Sequence, residues 1–234
     1  MNRSIVNIIR YVLEEILPPI LRDSIIFKYL VKFFYRNDRL HENLKNKILS
    51  YTEKDYINYY KKMPEINGKS DNSESCIVKI LSKIKASNVI DIGCGRGYLL
   101  ERIRKKYPKY NLFGTEIFLN KKLEKKKLIF NFKTIKISIE DIDRIKLSFN
   151  TVICTHVLEH ILDIRSAYKK LKKICKQRLI IVVPKERPYQ YAFNGHLHFF
   201  PYAWSLINTL RPEKKNKYNV YNIERDFVYI EDIK

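Results

Sequence analysis

Four of the five histidines fall into two close pairs, and each pair has the spacing of a functional site. His156 and His160 are spaced i, i+4 in HVLEH, so on a helix both rings share one face. His196 and His198 follow in GHLH. Histidine has an unperturbed pKa of about 6.5, which suits a general base. Together with Glu159, these side chains also match the nitrogen and oxygen ligands of a divalent metal. A purely structural role for Glu159 or His160 is the third interpretation.

A glycine-rich turn, GCGRG at 93–97, follows a short apolar run. Glycine permits positive φ and removes Cβ, so a ligand can lie against the backbone, and the next helix offers free N–H groups. The spacing departs from the GxGxxG pattern of nicotinamide-binding proteins. Glu116 ends the next predicted strand, 25 residues beyond Asp91. A carboxylate there can accept hydrogen bonds from both ribose hydroxyls of a nucleotide.

The elements that must position these residues alternate along most of the chain. Apolar runs predict strands at 88–92, 111–115, 134–137, 151–154 and 178–183, separated by helices at 74–84, 98–106, 121–127 and 167–175. This alternation is typical of an α/β protein with a doubly wound, mostly parallel sheet that is covered on both faces. Alternating runs at 218–223 and 227–230 predict that the sheet ends in an antiparallel hairpin.

The N-terminal part of the chain has a helical pattern instead. We predict helices at 5–17, 19–35, 42–50 and 53–62. The polar segment 64–75 marks the best boundary. The predicted organisation is therefore a helical lid at 1–70 and a second domain at 71–234.

Four segments of the chain together resemble one family. VIDIGCGRG resembles motif I of the class I S-adenosylmethionine-dependent methyltransferases, and the small-molecule, ubiquinone-biosynthesis-like (type 11) branch is the most similar. SIEDI at 138–142, FNTVICTHVLEHI at 149–161 and RLIIVVPK at 178–185 resemble, in the right order, the family's later segments. The resemblance covers about residues 75–230. It implies a Rossmann-like, seven-stranded sheet and S-adenosylmethionine as the cofactor.

The resemblance also implies which residues hold this cofactor. Asp91 and the turn hold its methionyl end, and Glu116 binds the ribose. The residues carried over in this way are Asp91, Gly93, Cys94, Gly95, Gly97, Glu116, Ile117, Ile139, Glu140 and Thr155. Ile117 would lie along the adenine, and Ile139 with Glu140 would edge it. Ser138 stands where the family usually has an acid, which weakens a side-chain contact to the adenine amine.

In the family, the segment that carries His156 borders the methyl group. His156 is therefore our first candidate for a general base that deprotonates a hydroxyl acceptor, with His196 or His198 second and His160 also a candidate. The metal alternative uses His156, Glu159, His160, His196 and His198. That set is similar to the Glu/His cluster of the RNA 3′-terminal 2′-O-methyltransferases, but those have Glu where this chain has His156.

Charge and aromatic content restrict the partners. The chain has 46 Lys and Arg against 25 acidic residues, a net charge of +21, which favours an anionic partner, although a general lysine bias explains it equally well. Aromatic residues are dense after Pro184, and cations lie among them: Lys185, Arg187, Tyr189, Tyr191, Phe193, Phe199, Phe200, Tyr202 and Trp204. This composition suits a small-molecule, sugar-type or phosphorylated acceptor, or a nucleic acid. No asparagine–proline–proline–tyrosine motif is present, which disfavours amino-group methylation.

Cysteine and hydropathy patterns favour a cytoplasmic protein. The four cysteines form no CxxC pair, so we expect them to be reduced. No uncharged apolar run of 18 residues and no signal-peptide pattern are seen. The segment 5–35 is apolar at helical spacing around Pro18–Pro19. It fits a lid over the domain or a peripheral membrane contact.

The sequence thus predicts an enzyme that methylates an oxygen of a small-molecule or glycan-linked acceptor, a hydroxyl or a phosphate-type oxygen, with histidine as base. The alternatives are a metal-assisted RNA 2′-O-methyltransferase and a cofactor-binding scaffold without turnover.

Overall fold

The computed structural model describes residues 8–34, 44–62, 70–190 and 195–233. The chain divides into two compact units. The first unit comprises Met1–Gly68 with Glu186–Phe199, and the second comprises Lys69–Lys185 with Phe200–Lys234. The segment Glu186–Phe199, which the sequence analysis assigned to the C-terminal domain, therefore groups with the N-terminal residues. His41, Tyr191 and Phe193 lie outside the described residues.

The first unit is helical where it is described. A π-helical turn at Val12–Ile16 is followed by α1 (Pro19–Arg22), α2 (Ile25–Phe34), α3 (Leu44–Ile48) and α4 (Glu53–Lys62). Pro19 occupies the first turn of α1, where its missing N–H leaves no helical bond unmade. The hydroxyl of Ser24 accepts from the N–H of Phe27 at 3.2 Å, so the predicted helix 19–35 is interrupted before Ile25. Leu44, Ile48 and Tyr59 form a small core.

Apolar side chains are unusually exposed at the start of the first unit. Ten large apolar residues between Ile8 and Tyr29 are exposed, and Ile20 at 81% and Ile26 at 71% are the most exposed. Within the described ranges, no helix has both the length and the hydropathy to cross a membrane. A peripheral membrane contact through residues 5–35 stays a prediction.

The second unit contains one seven-stranded sheet. This confirms the predicted fold class, an α/β protein with a mostly parallel sheet. The strands are β1 (Asn88–Ile92), β2 (Asn111–Glu116), β3 (Lys133–Lys136), β4 (Phe149–Thr155), β5 (Cys175–Pro184), β6 (Lys217–Ile223) and β7 (Asp226–Asp232). Their order is β3-β2-β1-β4-β5-β7-β6. The first five strands run parallel, whereas β7 pairs antiparallel with β5 and with β6.

Helices cover both faces of this sheet. They are α5 (Glu74–Lys83), α6 (Tyr98–Lys106), α7 (Lys121–Phe130), α8 (Ile164–Ile174) and α9 (Ala203–Leu210), with 3-10 turns at Ile139–Arg144 and Leu158–His160. The sequence analysis did not predict α9. Because side chains alternate along a strand, Leu179, Ile181 and Val183 of β5 pack on the face under α8 and α9. Ile180 and Val182 pack on the opposite face, under α5, α6 and α7.

The strand order creates a crevice at one edge of the sheet. The chain passes from β1 outward to β2 and β3, then returns to place β4 on the other side of β1. Ligands of open α/β sheets bind at the carboxyl ends of the strands beside such a reversal. Since β7 is antiparallel to β5, its first residue, Asp226, lies opposite Pro184 at this same edge.

Candidate active site

The turn after β1 has three glycines in the left-handed region. The φ angles of Gly93, Gly95 and Gly97 are +69°, +54° and +70°. A Cβ on Gly93 would lie 2.4 Å from Cγ2 of Val157, and one on Gly97 would lie 2.9 Å from Cζ of Phe132. At Gly95 a Cβ would meet no described atom within 4 Å. Packing therefore requires glycine at 93 and 97, whereas Gly95 leaves open space beside the backbone.

Glu116 connects the end of β2 to this turn. Its carboxylate accepts from the N–H of Gly95 at 2.8 Å and from the N–H of Ile117 at 3.1 Å. Asn120 caps α7 through the N–H of Leu123 and donates its amide to the carbonyl of Gly95 at 3.1 Å. Burial raises the pKa of Glu116, and its backbone hydrogen bonds oppose that rise. The acid and the turn that the sequence predicted to share a ligand thus lie side by side.

Asp91 lies at the end of β1 with 2% of its surface exposed. No hydrogen bond from a described residue reaches its Oδ1. Burial and, second, the charge of Glu116 raise the pKa of Asp91 to about 8. A buried carboxyl group in this state gains from a ligand that brings positive charge or hydrogen-bond donors.

The remaining residues predicted to bind the cofactor have varied environments. Cys94 is buried in the core on the α5 face, and Ile139 is buried in the core on the α8 face. Ile117 is half-buried and Glu140 is exposed. Thr155 is buried, and its hydroxyl accepts from the Asn72 amide at 3.0 Å. Ser138, which replaces the usual acid, caps the 3-10 turn by accepting from the N–H of Glu140.

His156 does not share a helical face with His160, so that prediction is wrong. His156 has a left-handed backbone with φ of +54°, and its N–H donates to the carbonyl of Val182 at 2.9 Å. Only the three-residue 3-10 turn Leu158–His160 follows. A non-glycine residue with this backbone is strained and is held by its surroundings. His160 is half-buried in the same loop.

The His156 ring lies between two buried carboxylates. Its Nδ1 is 3.5 Å from Oε1 of Glu159, and its Nε2 is 3.8 Å from Oδ1 of Asp226. Glu159 and Asp226 are 0% and 4% exposed. Burial alone lowers the pKa of His156, but Glu159, Asp226 and Asp71 outweigh it and raise this pKa to about 9. The ring is therefore protonated at neutral pH, which counts against His156 as the general base.

One neighbour of this histidine, Asp226, was not found from the sequence. Asp226 comes from the second strand of the C-terminal hairpin, and its Oδ2 accepts from the thiol of Cys76 on α5 at 3.4 Å. Burial raises the pKa of this thiol to about 12, so it stays protonated. The only sequence signal for Asp226 was an acid directly before the run 227–230, which was predicted to end the sheet.

The other predicted histidines, His196 and His198, belong to the first unit. His196 Nδ1 contacts Oε1 of Glu186, whose Oε2 accepts from Arg10 at 2.7 Å. Glu186 is 2% exposed, and sequence reasoning did not single it out. Because the histidines predicted to bind a metal are divided between the two units, the metal set stays a prediction.

The aromatic segment after Pro184 has several different roles. In the first unit, the Arg22 guanidinium lies 5.5 Å from the ring centroid of Tyr189. In the second unit, Phe200 is buried in the core. Tyr202 and Trp204 stack with centroids 5.7 Å apart, and they are 44% and 65% exposed. The exposed pair is the part of this segment in the second unit that offers ring surface to a ligand.

Comparisons with known proteins agree with this geometry. Residues 53–209 match the model of a family described as a methyltransferase domain. No curated protein sequence matches the chain.

Solved structures share the fold at low identity. A S-adenosylmethionine-dependent methyltransferase from Clostridium acetobutylicum is 10% identical over 76% of this chain and 98% of its own, with a TM-score of 0.57. An O-methyltransferase family protein from Burkholderia thailandensis is 14% identical over 67% of this chain, with a TM-score of 0.54, and the match spans only 55% of that protein. The magnesium protoporphyrin IX methyltransferase of Synechocystis, with bound SAM, is 14% identical over 82% of this chain and 97% of its own, with a TM-score of 0.50.

Proposed function

The chain belongs to the methyltransferase domain family, and on that premise we propose that it methylates an oxygen atom of a small-molecule or glycan-linked acceptor. The family and the fold make it a class I S-adenosylmethionine-dependent methyltransferase. The observation that carries the methyl-donor part of the proposal is the buried carboxyl group of Asp91 and the half-buried one of Glu116, beside the open backbone of Gly95.

The residues at this edge fit S-adenosylmethionine. Asp91 has an oxygen that no described residue satisfies, which suits the donors of a methionyl ammonium group. Glu116 offers two acceptor oxygens to a ribose diol, and Gly95 has no Cβ to block the approach. When bound, the cofactor supplies an electrophilic methyl group on a sulfonium. Methyl transfer needs an in-line approach, so positioning by the turn and the β4 loop is the main contribution of the protein.

His156 is not the base for a hydroxyl acceptor in this proposal, because its ring is a cation at neutral pH. Both ring nitrogens face carboxylates, those of Glu159 and Asp226, so this cation balances charges within the protein. A neutral hydroxyl would therefore require another base, for which His160, His196 and His198 remain the candidates. The net charge of +21 supports an anionic acceptor oxygen, which needs no base.

The proposal is tested by turnover against sugars, nucleotide sugars, phosphorylated metabolites and RNA, read by the mass increase of one methyl. We expect a phosphorylated or otherwise anionic acceptor to be methylated on oxygen. Methylation on nitrogen would contradict the proposal, and cofactor binding without turnover on any acceptor would favour a scaffold.

An RNA acceptor is the second candidate, and the net charge of +21 is the observation that favours it. RNA binding weakens steeply with added salt because counterions are released, whereas a small neutral sugar shows no such slope. Loss of RNA methylation with a chelator, and its return with a divalent metal, would support the metal-assisted form.

A further inference from the structure

Helix α7 has a face on which lysines and aliphatic side chains are exposed together. The helix buries Leu123 against the core and packs Phe130 beside it. Two aliphatic residues at its end point outward instead: Leu128 is 82% exposed and Ile129 is 61% exposed. Apolar residues on a helix that covers a sheet normally face the core, so this pair needs a separate explanation.

Helical geometry places these residues in one continuous surface, which we call the α7 face: Lys121, Lys122, Lys125, Leu128 and Ile129. Lys121, Lys125 and Leu128 follow i, i+4, i+7 spacing, and Lys122 and Ile129 are also seven residues apart. All five side chains are exposed.

More cations surround the α7 face. Exposed lysines at the end of α6, in the loop after it and on edge strand β3 are Lys105, Lys106, Lys109, Lys133 and Lys136. The two acidic residues of α6 and α7 already have lysine partners, because Glu101 binds Lys105 and Lys126 while Glu124 binds Lys127. The surface is therefore strongly positive, with an apolar patch inside it.

Helix α8 shows that this combination does not follow from lysine content alone. It has four lysines in 11 residues, against five in 10 on α7, but its large apolar residues, Ile164, Tyr168, Leu171 and Ile174, are all buried. Its lysines also have acidic partners from other elements, since Lys172 binds Glu231 and Lys173 binds Asp143. Within the same unit, one lysine-rich helix is thus an ordinary solvated helix and the other has exposed aliphatic residues.

We propose that the α7 face docks on an anionic lipid bilayer, with the lysines among the headgroups and Leu128 and Ile129 in the acyl boundary. Clusters of four to eight basic residues on an amphipathic helix are typical of such surfaces. The phosphates of a nucleic acid would bind the lysines. Its bases stack on aromatic rings, so exposed aliphatic side chains would not contribute to that binding. Protein interfaces are depleted in lysine.

The position of α7 in the fold is compatible with an enzyme at work on the bilayer. The helix starts just after the carboxyl end of β2 and returns toward the start of β3. Leu128 and Ile129 therefore lie at the edge of the sheet opposite Asp91 and Glu116. Insertion of these two side chains keeps the cofactor edge away from the acyl boundary, while Lys121 and Lys122, at the start of the helix, lie near that edge.

The test is co-sedimentation of the full chain with two kinds of vesicle. One kind contains phosphatidylcholine alone, and the other contains phosphatidylcholine with equimolar phosphatidylglycerol. The wild type should bind only the anionic vesicles. Lys121→Gln/Lys122→Gln/Lys125→Gln should weaken that binding roughly 100-fold, since each lysine near an anionic surface contributes roughly fivefold. Leu128→Ser/Ile129→Ser should weaken it about tenfold with no change in net charge.

The matched control removes the same charge from the other helix. Arg165→Gln/Lys169→Gln/Lys173→Gln, three exposed cations of α8, should bind nearly as the wild type does. The proposal would be overturned if the α7 and α8 triple variants lost the same amount of vesicle binding. It would also be overturned if the wild type did not bind anionic vesicles. A third variant, Ile20→Ser/Ile26→Ser, tests whether the first unit binds the bilayer. If only this variant abolishes vesicle binding, the lipid contact belongs to residues 5–35 and not to α7. RNA binding that survives Leu128→Ser/Ile129→Ser, without vesicle binding, would identify nucleic acid as the partner.

Discussion

The carboxyl edge of the sheet has two halves, and charged groups are compensated by the protein in only one of them. At the ends of β1 and β2, the carboxyl groups of Asp91 and Glu116 both have raised pKa values. At the ends of β4 and β7, two carboxylates enclose His156, whose pKa rises to about 9. Among the described residues, no cation contributes to the pKa shifts of Asp91 and Glu116, whereas the second half contains the cation of His156.

This difference assigns ligand binding to the β1–β2 half and the positioning of protein groups to the β4–β7 half. The β1–β2 half is electrostatically incomplete without a ligand, as expected where a cationic cofactor with ribose hydroxyls is held. The β4–β7 half is internally compensated, because the carboxylates of Glu159 and Asp226 face the two ring nitrogens of His156, so its groups fix the shape of the loop after β4.

The largest effect is expected where the two halves touch, at Gly93 and Val157. Gly93→Ala places a methyl group 2.4 Å from Cγ2 of Val157 at a positive φ. We expect a loss of about 2–4 kcal/mol in the free energy of unfolding, from overpacking plus backbone strain. Chemical denaturation measures it. Gly95→Ala is the matched control, because its Cβ meets open space, so only strain of about 1–2 kcal/mol applies. Equal losses would contradict the assigned packing roles.

Removing the ribose acceptor should affect binding and leave the fold intact. Glu116→Ala is expected to weaken S-adenosylmethionine binding about 100-fold, since two hydrogen bonds to a charged group are lost. Calorimetry measures the affinity, and the melting temperature checks the fold. Glu124→Ala, a half-buried glutamate on α7 that pairs with Lys127, is the control and should bind as the wild type does. An unchanged affinity in Glu116→Ala would remove it from the cofactor site.

The β4–β7 half should lose stability as pH rises. The folded pKa of His156 is raised to about 9, so its contribution is fully present below its ordinary value and disappears as pH rises through about 9. Asp226→Asn keeps the shape and removes one carboxylate. We expect it to lower the free energy of unfolding by about 1–3 kcal/mol at pH 7. The deficit should shrink at high pH in parallel denaturation curves. A deficit that does not depend on pH would exclude the charge pair as its cause.

The β1–β2 half should bind its cofactor better as pH rises. Asp91, with a pKa of about 8, is protonated in the free protein at neutral pH and must lose that proton to receive a cationic group. Affinity should therefore improve about tenfold per pH unit up to about 8 and then level off. Asp91→Asn should abolish this slope. A flat profile in the wild type would show that the carboxyl group is ionised before binding.

Local signals in the sequence predicted most of the sheet and half of the site. The bounds of β1 and α6 were predicted to the residue, because strand periodicity changes to helix periodicity at the glycine turn between them. The bounds of α4 were also predicted to the residue. Glu116 could be found because its position depends only on the end of the next parallel strand. Both features depend on short-range patterns and on the rules of parallel sheets.

The other half of the site depends on long-range packing. The left-handed backbone of His156 is imposed by the bond from its N–H to Val182, which no local pattern shows. That bend replaced the predicted helix and moved His160 away from the shared face. Asp226 reaches His156 only through the register of β7 on β5. The exposure of Leu128 and Ile129 could not be predicted either, because composition does not show which apolar residues of a helix pack into the core.

Titration of the full chain with S-adenosylmethionine at pH 8.5 by calorimetry tests the cofactor site most directly. We expect one saturable site whose affinity falls about 100-fold in Glu116→Ala. No binding by the wild type, or equal affinity in both proteins, would contradict the assignment of this edge as the cofactor site.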